Sequence, residues 1–246
     1  MIAFMINNIE GEQMKKRNRK IIDKLEPYAE YFKGNGLGQQ FPSPSMEKLS
    51  AFFEKKRVHN VLDFCCGTGR NSVFLAQKGF SVYGFDASRM ALRDVRAKQR
   101  KANVNLHLKL LTVDGKLPYE DSFFDAIIII RALYQARIST IRKNVEEIRR
   151  VTKPSGFVYI ESNQQWVWER KRNYEQTRTN ERGTYQHGRP GNYYHYFTKS
   201  ELKNLFKEFM TVRFYFKDRR FYALFQKNDD KISSKVHRVS HFVEKT

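Results

Sequence analysis

Two acids flank a glycine turn in residues 60–86, and their positions decide what chemistry the turn can serve. Asp63 lies in the apolar run Val61 to Cys65, just before Gly67, Thr68 and Gly69, and Asp86 ends a second run, Val82 to Phe85. Glycines take backbone angles that let a nucleotide come close to the main chain. Asp86 follows Gly67 by 19 residues, near the spacing of about 20 at which a Rossmann-type unit sets a carboxylate against ribose hydroxyls. Asp63 then discriminates between nucleotides. A dinucleotide would lay its pyrophosphate there, and a carboxylate beside two phosphates is repelled by several kcal/mol at low effective dielectric. An adenosyl ligand that carries positive charge and no phosphate is favoured instead.

S-adenosylmethionine meets that description, with an ammonium, a sulfonium and an adenosine whose ribose would meet Asp86. Val61 to Gly69 (VLDFCCGTG) resembles the first motif of the class I S-adenosylmethionine-dependent methyltransferases, with Cys65 where a glycine is more usual. Gly84 to Ser88 with Met90 resembles the second motif, and Val113, Asp114 and Gly115 followed by Leu117 and Pro118 the third. Phe124, Asp125 and Ala126 leading into four isoleucines resemble the fourth. Arg150 to Gly156 (RVTKPSG) is similar to the family's late lysine-proline-glycine-glycine turn, with Ser155 replacing one glycine. The resemblance covers about residues 45 to 227, is of the small-molecule type (methyltransferase-11/25-like), and says little about the acceptor.

The resemblance implies roles. Asp63, Cys65, Gly67 and Gly69 would hold the methionine portion, Asp86 the ribose, Asp114 with Gly115 the adenine amino group, and Ala87 and Leu117 the adenine faces. Arg131 joins them at the carboxyl ends of the strands, where doubly wound folds bind ligands in one crevice. The stretch from Arg131 to Gln135 would lie beside the transferable methyl. Enzymes that methylate exocyclic adenine amines carry Asn or Asp, two prolines and an aromatic there; this chain has Arg131, Ala132, Leu133 and Tyr134. No Pro-Cys pair for attack on cytosine is present either. Tyr134, Tyr28 or an aromatic of the cap would face the sulfonium through a cation-π contact.

Between Ser162 and Phe197 lies a polar insertion rich in aromatics: Trp166, Trp168, Tyr174, Tyr185, His187, Tyr193, Tyr194 and His195. It is expected to cover the crevice as a cap over about residues 162–197. Gly191 to Thr198 resembles the histidine-tyrosine-phenylalanine-threonine stretch of small-molecule-type members. His195 is a general base or acceptor-orienting residue on one reading and a structural histidine near a helix cap on the other. The interleaved Arg170, Lys171, Arg172, Arg178, Arg182 and Arg189 would grip an anionic substrate or RNA phosphate equally well. Metal-ligand spacing is absent.

The elements that position these residues alternate. Before the first strand, Ile21 to Phe32 has helical periodicity and would fold over the cofactor, with Tyr28 and Tyr31 as lid residues or as packing residues. Pro42 to Ser45 stops the chain and caps a helix with Met46, Leu49, Phe52 and Phe53 inward. Strand, helix to Gly79, strand, and a helix capped by Ser88 follow, the last with Arg89, Arg93, Arg96 and Arg100 outward as a solvated face or a docking row. Leu106 to Val113, Phe124 to Ile130 and Phe157 to Glu161 read as further strands, with a helix carrying Ile138, Ile141, Val145, Ile148 and Val151. Thr198 to Glu201 is a capping box, and Val212 to Phe216 with Phe221 to Phe225 must pair as a hairpin. The expected fold is α/β, a Rossmann-like doubly wound, mostly parallel seven-stranded sheet with an antiparallel C-terminal hairpin.

With 246 residues the chain suits one sizeable domain. The expected organisation is an arm and lid helix over 1–45, the methyltransferase-like domain over 46–227, and a polar tail over 228–246. Its net charge of +20 is either the footprint of RNA binding or a dispersed surface charge. Adjacent Cys65 and Cys66 are poorly placed for a disulfide with each other. No leader or apolar run approaching 18 residues is visible, so a cytoplasmic protein without a membrane span is expected. Oligomeric state is not legible.

Overall fold

The computed structural model of the protein describes residues 41–113, 115–163, 176–188, 191–218 and 220–229. The expected arm and lid with Tyr28, the tail, and most of the cap's tryptophans and arginines lie outside these residues, as does Asp114. The described residues form a seven-stranded sheet and a separate three-stranded one. In chain order they are α1 (Met46–Lys55), β1 (Asn60–Phe64), α2 (Arg70–Gln77), β2 (Ser81–Asp86), α3 (Arg89–Ala102), β3 (Leu106–Leu110), β4 (Phe124–Ile130), α4 (Ile138–Val151) and β5 (Thr152–Asn163). After these come β6 (Gln176–Arg178), β7 (Thr184–His187), β8 (Tyr193–His195), α5 (Lys199–Leu205), β9 (Phe209–Lys217) and β10 (Arg220–Lys227). The large sheet has the order β3-β2-β1-β4-β5-β10-β9. Its β2–β3, β1–β4 and β4–β5 pairs are parallel, and β10 runs antiparallel to both β5 and β9. The strand order reverses at β1 and β4, the kind of switch point beside which such sheets bind ligands.

Contacts divide the chain into two compact units, one including Cys65–Val113 and the other including Phe53–Phe64 and the residues beyond Val113. In the first, α3 starts and α2 ends as the sequence directs. Ser88 Oγ accepts from Ala91 N at 3.2 Å, and Gly79, just past α2, takes φ 91°, a left-handed angle that suits glycine. In the second, the apolar residues of β4 are buried through Ile129, and all five apolar residues expected inward on α4 are buried.

Two boundaries differ from expectation. β3 stops at Leu110 rather than running to Val113, because its residues past Leu106 are largely exposed and little packing extends the strand. Conversely, β5 starts at Thr152, so the Lys-Pro-Ser-Gly stretch is strand with a register shift opposite Phe124 and Ala126 rather than a free turn. Ser155 sits there at φ 59°, and a Cβ on Gly156 would lie 2.9 Å from Lys153 O, so only one of the family's two glycines is sterically required. Among the described residues no helix is long and apolar enough to cross a membrane.

Candidate functional site

The glycine turn belongs to the first unit and is built from left-handed residues: Cys65 at φ 56°, Gly67 at 54° and Gly69 at 71°. Cys65 therefore keeps the backbone shape of the glycine it replaces, at a cost of about 1 kcal/mol for a side chain in that region. Asp86 closes the turn. Its Oδ2 accepts from Gly67 N at 2.9 Å and its Oδ1 from Ser88 N at 2.9 Å, so one carboxylate ties the loop to the start of α3. A carboxylate has about four acceptor sites, which leaves room for ribose hydroxyls. Burial pushes the Asp86 carboxyl above its ordinary range, opposed by the N–H groups of Ser88, Gly67 and Ala87.

Three further features distinguish the turn. The Thr68 hydroxyl is buried and has no hydrogen-bond partner among the described residues, in a place where a buried polar group normally has one. Lys98 Nζ donates to Thr68 O at 2.9 Å, and burial lowers the lysine's pKa while Asp94 counteracts. Gly69 is held to glycine by contact as well as angle, since a Cβ would lie 2.6 Å from Val95 Cγ1.

The remaining candidates belong to the second unit. Asp63 is 1% exposed on β1, in register with Ile128 of β4. Arg131, just past β4, takes φ 57°; its N–H donates to Glu161 O at 2.9 Å and its carbonyl accepts from Gln135 Nε2 at 2.8 Å. Gly115 is exposed, with open space where a Cβ would stand. Leu117 differs from expectation. Its side chain is 3% exposed, which leaves it almost no surface for an adenine ring; it packs inward while its backbone is gripped by α4.

The described part of the cap, β6-β7-β8, is an antiparallel sheet that composition alone did not foretell. His195 N donates to Tyr134 O at 2.7 Å, joining β8 to the loop after β4. The His195 ring is wholly buried. Its Nδ1 lies 2.8 Å from Thr184 Oγ1, and its Nε2 lies 3.1 Å from Glu201 Oε1, close enough for an ion pair though poorly aligned for a hydrogen bond. Burial raises the Glu201 carboxyl, but His195 and the Thr198 backbone outweigh it and hold the group below its ordinary range. His195 thus has no open edge for an acceptor and takes the structural reading: it pins β8 to the cap of α5. Tyr134 is buried with its ring 5.8 Å from that of Tyr194, which in turn lies 4.5 Å from His187. His187 Nε2 is 2.8 Å from the Tyr196 hydroxyl. Burial lowers the histidine's pKa and raises the tyrosine's, so both are neutral near pH 7.

Sequence reasoning missed several of these partners. Glu161 is 2% exposed near the end of β5, with the Tyr159 hydroxyl 3.2 Å from its Oε1. Its signal, an acid ending an apolar strand, is the one that picked out Asp86. Glu181 left no such signal: it accepts from Ile138 N at 3.2 Å and Ser139 Oγ at 2.7 Å, capping α4 from 42 to 43 residues away. Arg137 also reaches the cap, donating to the Tyr193 hydroxyl at 3.0 Å.

Residues 61–156 match the family model of a methyltransferase domain. An uncharacterized methyltransferase of Synechocystis is 34% identical over 96 residues, 39% of this chain and 43% of the relative. A demethylmenaquinone methyltransferase of Lactobacillus johnsonii is 34% identical over 116 residues, 44% of this chain and 47% of the relative. The chain therefore spans less than half the length of these curated relatives. A solved S-adenosylmethionine-dependent methyltransferase of Methanosarcina mazei is similar with a TM-score of 0.60 at 26% identity, covering 70% of this chain and 93% of that one. The 1,6-didemethyltoxoflavin-N1-methyltransferase of Burkholderia thailandensis, solved with 1,6-didemethyltoxoflavin and S-adenosylhomocysteine, shares the fold with a TM-score of 0.64 at 15% identity, covering 87% and 90%.

Proposed function

We propose, for a chain whose residues 61–156 are a class I S-adenosylmethionine-dependent methyltransferase domain, that the protein transfers a methyl group from S-adenosylmethionine to a small-molecule acceptor. The observation that carries this reading is the glycine turn closed by Asp86, beside a buried Thr68 hydroxyl that has no hydrogen-bond partner among the described residues. The residues fit the cofactor: Asp63, Cys65, Gly67 and Gly69 would take its methionine end, Asp86 the ribose, Asp114 and Gly115 the adenine amino group, and Ala87 an adenine face. Arg131 and Tyr28 would border the same site.

The bound cofactor supplies an electrophilic methyl carbon on a sulfonium. The chain's own contribution is then alignment and exclusion of water, which can account for most of the acceleration of a displacement that needs no covalent help. Tyr134 would border the acceptor, a reading supported by its place after β4 and by its ring's approach to the cap's Tyr194. The small-molecule class is supported by that aromatic surround and by relatives named for demethylmenaquinone and didemethyltoxoflavin.

Calorimetry with S-adenosylhomocysteine and with NAD tests the cofactor, and binding of NAD alone would overturn it. Incubation with methyl-labelled cofactor against separate metabolite and RNA extracts tests the acceptor. Label in the metabolite fraction is expected; label confined to RNA would replace the small-molecule reading with an RNA or tRNA methyltransferase.

A further inference from the structure

Residues 117–123 lead into β4, and alternate residues of that stretch turn their polar groups to one side chain of α4. Arg150 Nε donates to Glu147 Oε1 at 2.9 Å, and Nη2 donates to Glu147 Oε2 at 2.8 Å and to Leu117 O at 2.9 Å. Nη1 donates to Tyr119 O at 2.9 Å and to Asp121 Oδ1 at 2.7 Å. A guanidinium has five N–H donors, and all five are used. Glu147 Oε2 also accepts from Leu117 N at 2.7 Å, so both backbone groups of Leu117 are held by one ion pair. The Arg150 carbonyl accepts from Ser122 N and that of Val151 from Phe123 N, each at 2.9 Å.

These bonds differ in weight. Asp121 is 77% exposed, so its pair with Arg150 contributes little, whereas the Arg150 and Glu147 side chains are only 18% and 19% exposed and meet through two parallel bonds. The Arg150 hydrogen bond holds the Glu147 carboxyl below its ordinary range, with burial opposing and Leu117 N assisting. Lysine could not reproduce the arrangement, because an ammonium is a point donor without the planar fork. So many anchors on one surface segment exceed what closing a loop between β3 and β4 requires. Gly115, two residues ahead of the clamped Leu117, is exposed beside open space, so the segment presents backbone to the outside from a fixed base.

We propose that Arg150 and Glu147 are positioning residues for cofactor recognition: acting through the backbone of Leu117, they set the segment around Gly115 that reads the adenine. This rests on the reading above that places the adenine at Asp114 and Gly115. The clamp touches neither cofactor nor reacting atoms, and its effect is on which base is accepted and how tightly.

Calorimetry on the full chain tests this with S-adenosylhomocysteine and its inosyl analogue, in which the adenine amino group is replaced by oxygen. In R150K the affinity for S-adenosylhomocysteine is expected to fall about 10-fold, and the preference for adenosyl over inosyl ligand to narrow. E147Q, which keeps an acceptor for Leu117 N, is expected to show the same narrowing in weaker form and serves if R150K does not fold. A role confined to stability lowers the melting temperature but leaves the preference unchanged, and that result in a folded variant overturns the proposal. G115L separates the two readings, since the side chain enters open space. If G115L weakens S-adenosylhomocysteine binding while R150K and E147Q do not, the clamp proposal fails and the adenine site stands. If G115L leaves binding intact, the adenine lies elsewhere and both fall.

Discussion

The two compact units hold their candidate residues by opposite means. In the unit containing Cys65–Val113, Asp86 reaches partners 2 and 19 residues away, and the turn's shape comes from backbone angles. In the other unit the cap is held to the loop after β4 and to α4 by side chains 42 to 56 residues apart. A backbone-built site fails when a single Cβ is added; a side-chain-built one loses its parts singly. The variants below probe that contrast in order of expected effect.

Gly69→Ala should act most strongly. It places a side chain at φ 71° and a Cβ 2.6 Å from Val95 Cγ1, so a loss of about 2–4 kcal/mol in stability is expected with cofactor binding near the limit of detection. Chemical denaturation and calorimetry check it. Adding Val95→Ala should return part of the loss, because it relieves the contact but not the backbone angle. Full additivity in the double mutant would show that the contact carries nothing.

Asp86→Ala should weaken S-adenosylhomocysteine binding about 10-fold or more, since a charge-accepting hydrogen bond is lost along with the clasp on Gly67. Acid should mimic it early. The carboxyl is raised above its ordinary range, so as pH falls its charge is lost above the reference value of about 3.9, and cofactor affinity declines from there. Affinity that holds steady down to about pH 4 would deny Asp86 a ligand-binding charge.

The same contrast explains what was legible in the sequence. The glycine turn and Asp86 could be read because every partner lies within one strand-turn-helix-strand unit, where spacing is geometry. The run of isoleucines at 127–130 announced a central strand for the same local reason. His195 was only half legible: the stretch around it suggests either a base or a structural group, and its burial between Thr184 and Glu201 depends on pairings that no local pattern encodes. Leu117 was misassigned because an apolar residue next to a binding loop looks like a ligand contact, while its inward packing depends on a clamp 30 to 33 residues away. Glu181 as the cap of α4 was invisible, because Arg137 at that helix start offers no capping side chain of its own.

Glu181→Gln tests the side-chain-built half. The amide keeps one acceptor for Ile138 N or Ser139 Oγ but loses charge at a helix start, so a stability loss of about 0.5–1 kcal/mol is expected. Cofactor affinity should stay within about twofold, less than 0.5 kcal/mol. A large loss of cofactor binding would mean that the cap's seat on α4 also shapes the cofactor site. Glu147→Gln gives a related signature with acid. Because the folded pKa of Glu147 is depressed, its contribution is present above the unfolded value near 4.3 and is lost as pH falls through the lower folded one. The variant should therefore lose less stability than the parent between about pH 4.3 and lower values.

The smallest effect is expected from the arginine row of α3. Arg89, Arg93, Arg96 and Arg100 are exposed at spacings of three and four residues, which puts them on one helix face. If the acceptor is a small molecule, replacing all four with glutamine should leave labelled transfer to the metabolite fraction unchanged within error. An RNA substrate would answer differently. Each phosphate contact contributes about 0.9 to the slope of log affinity against log salt for duplex and about 0.7 for single strands, so losing four such contacts would flatten that slope by roughly three. A filter-binding series with total RNA, run on the parent and the fourfold variant, therefore reads the row directly. A steep parental slope that the substitutions abolish would turn this helix face from a solvated surface into an RNA dock and reopen the identity of the acceptor.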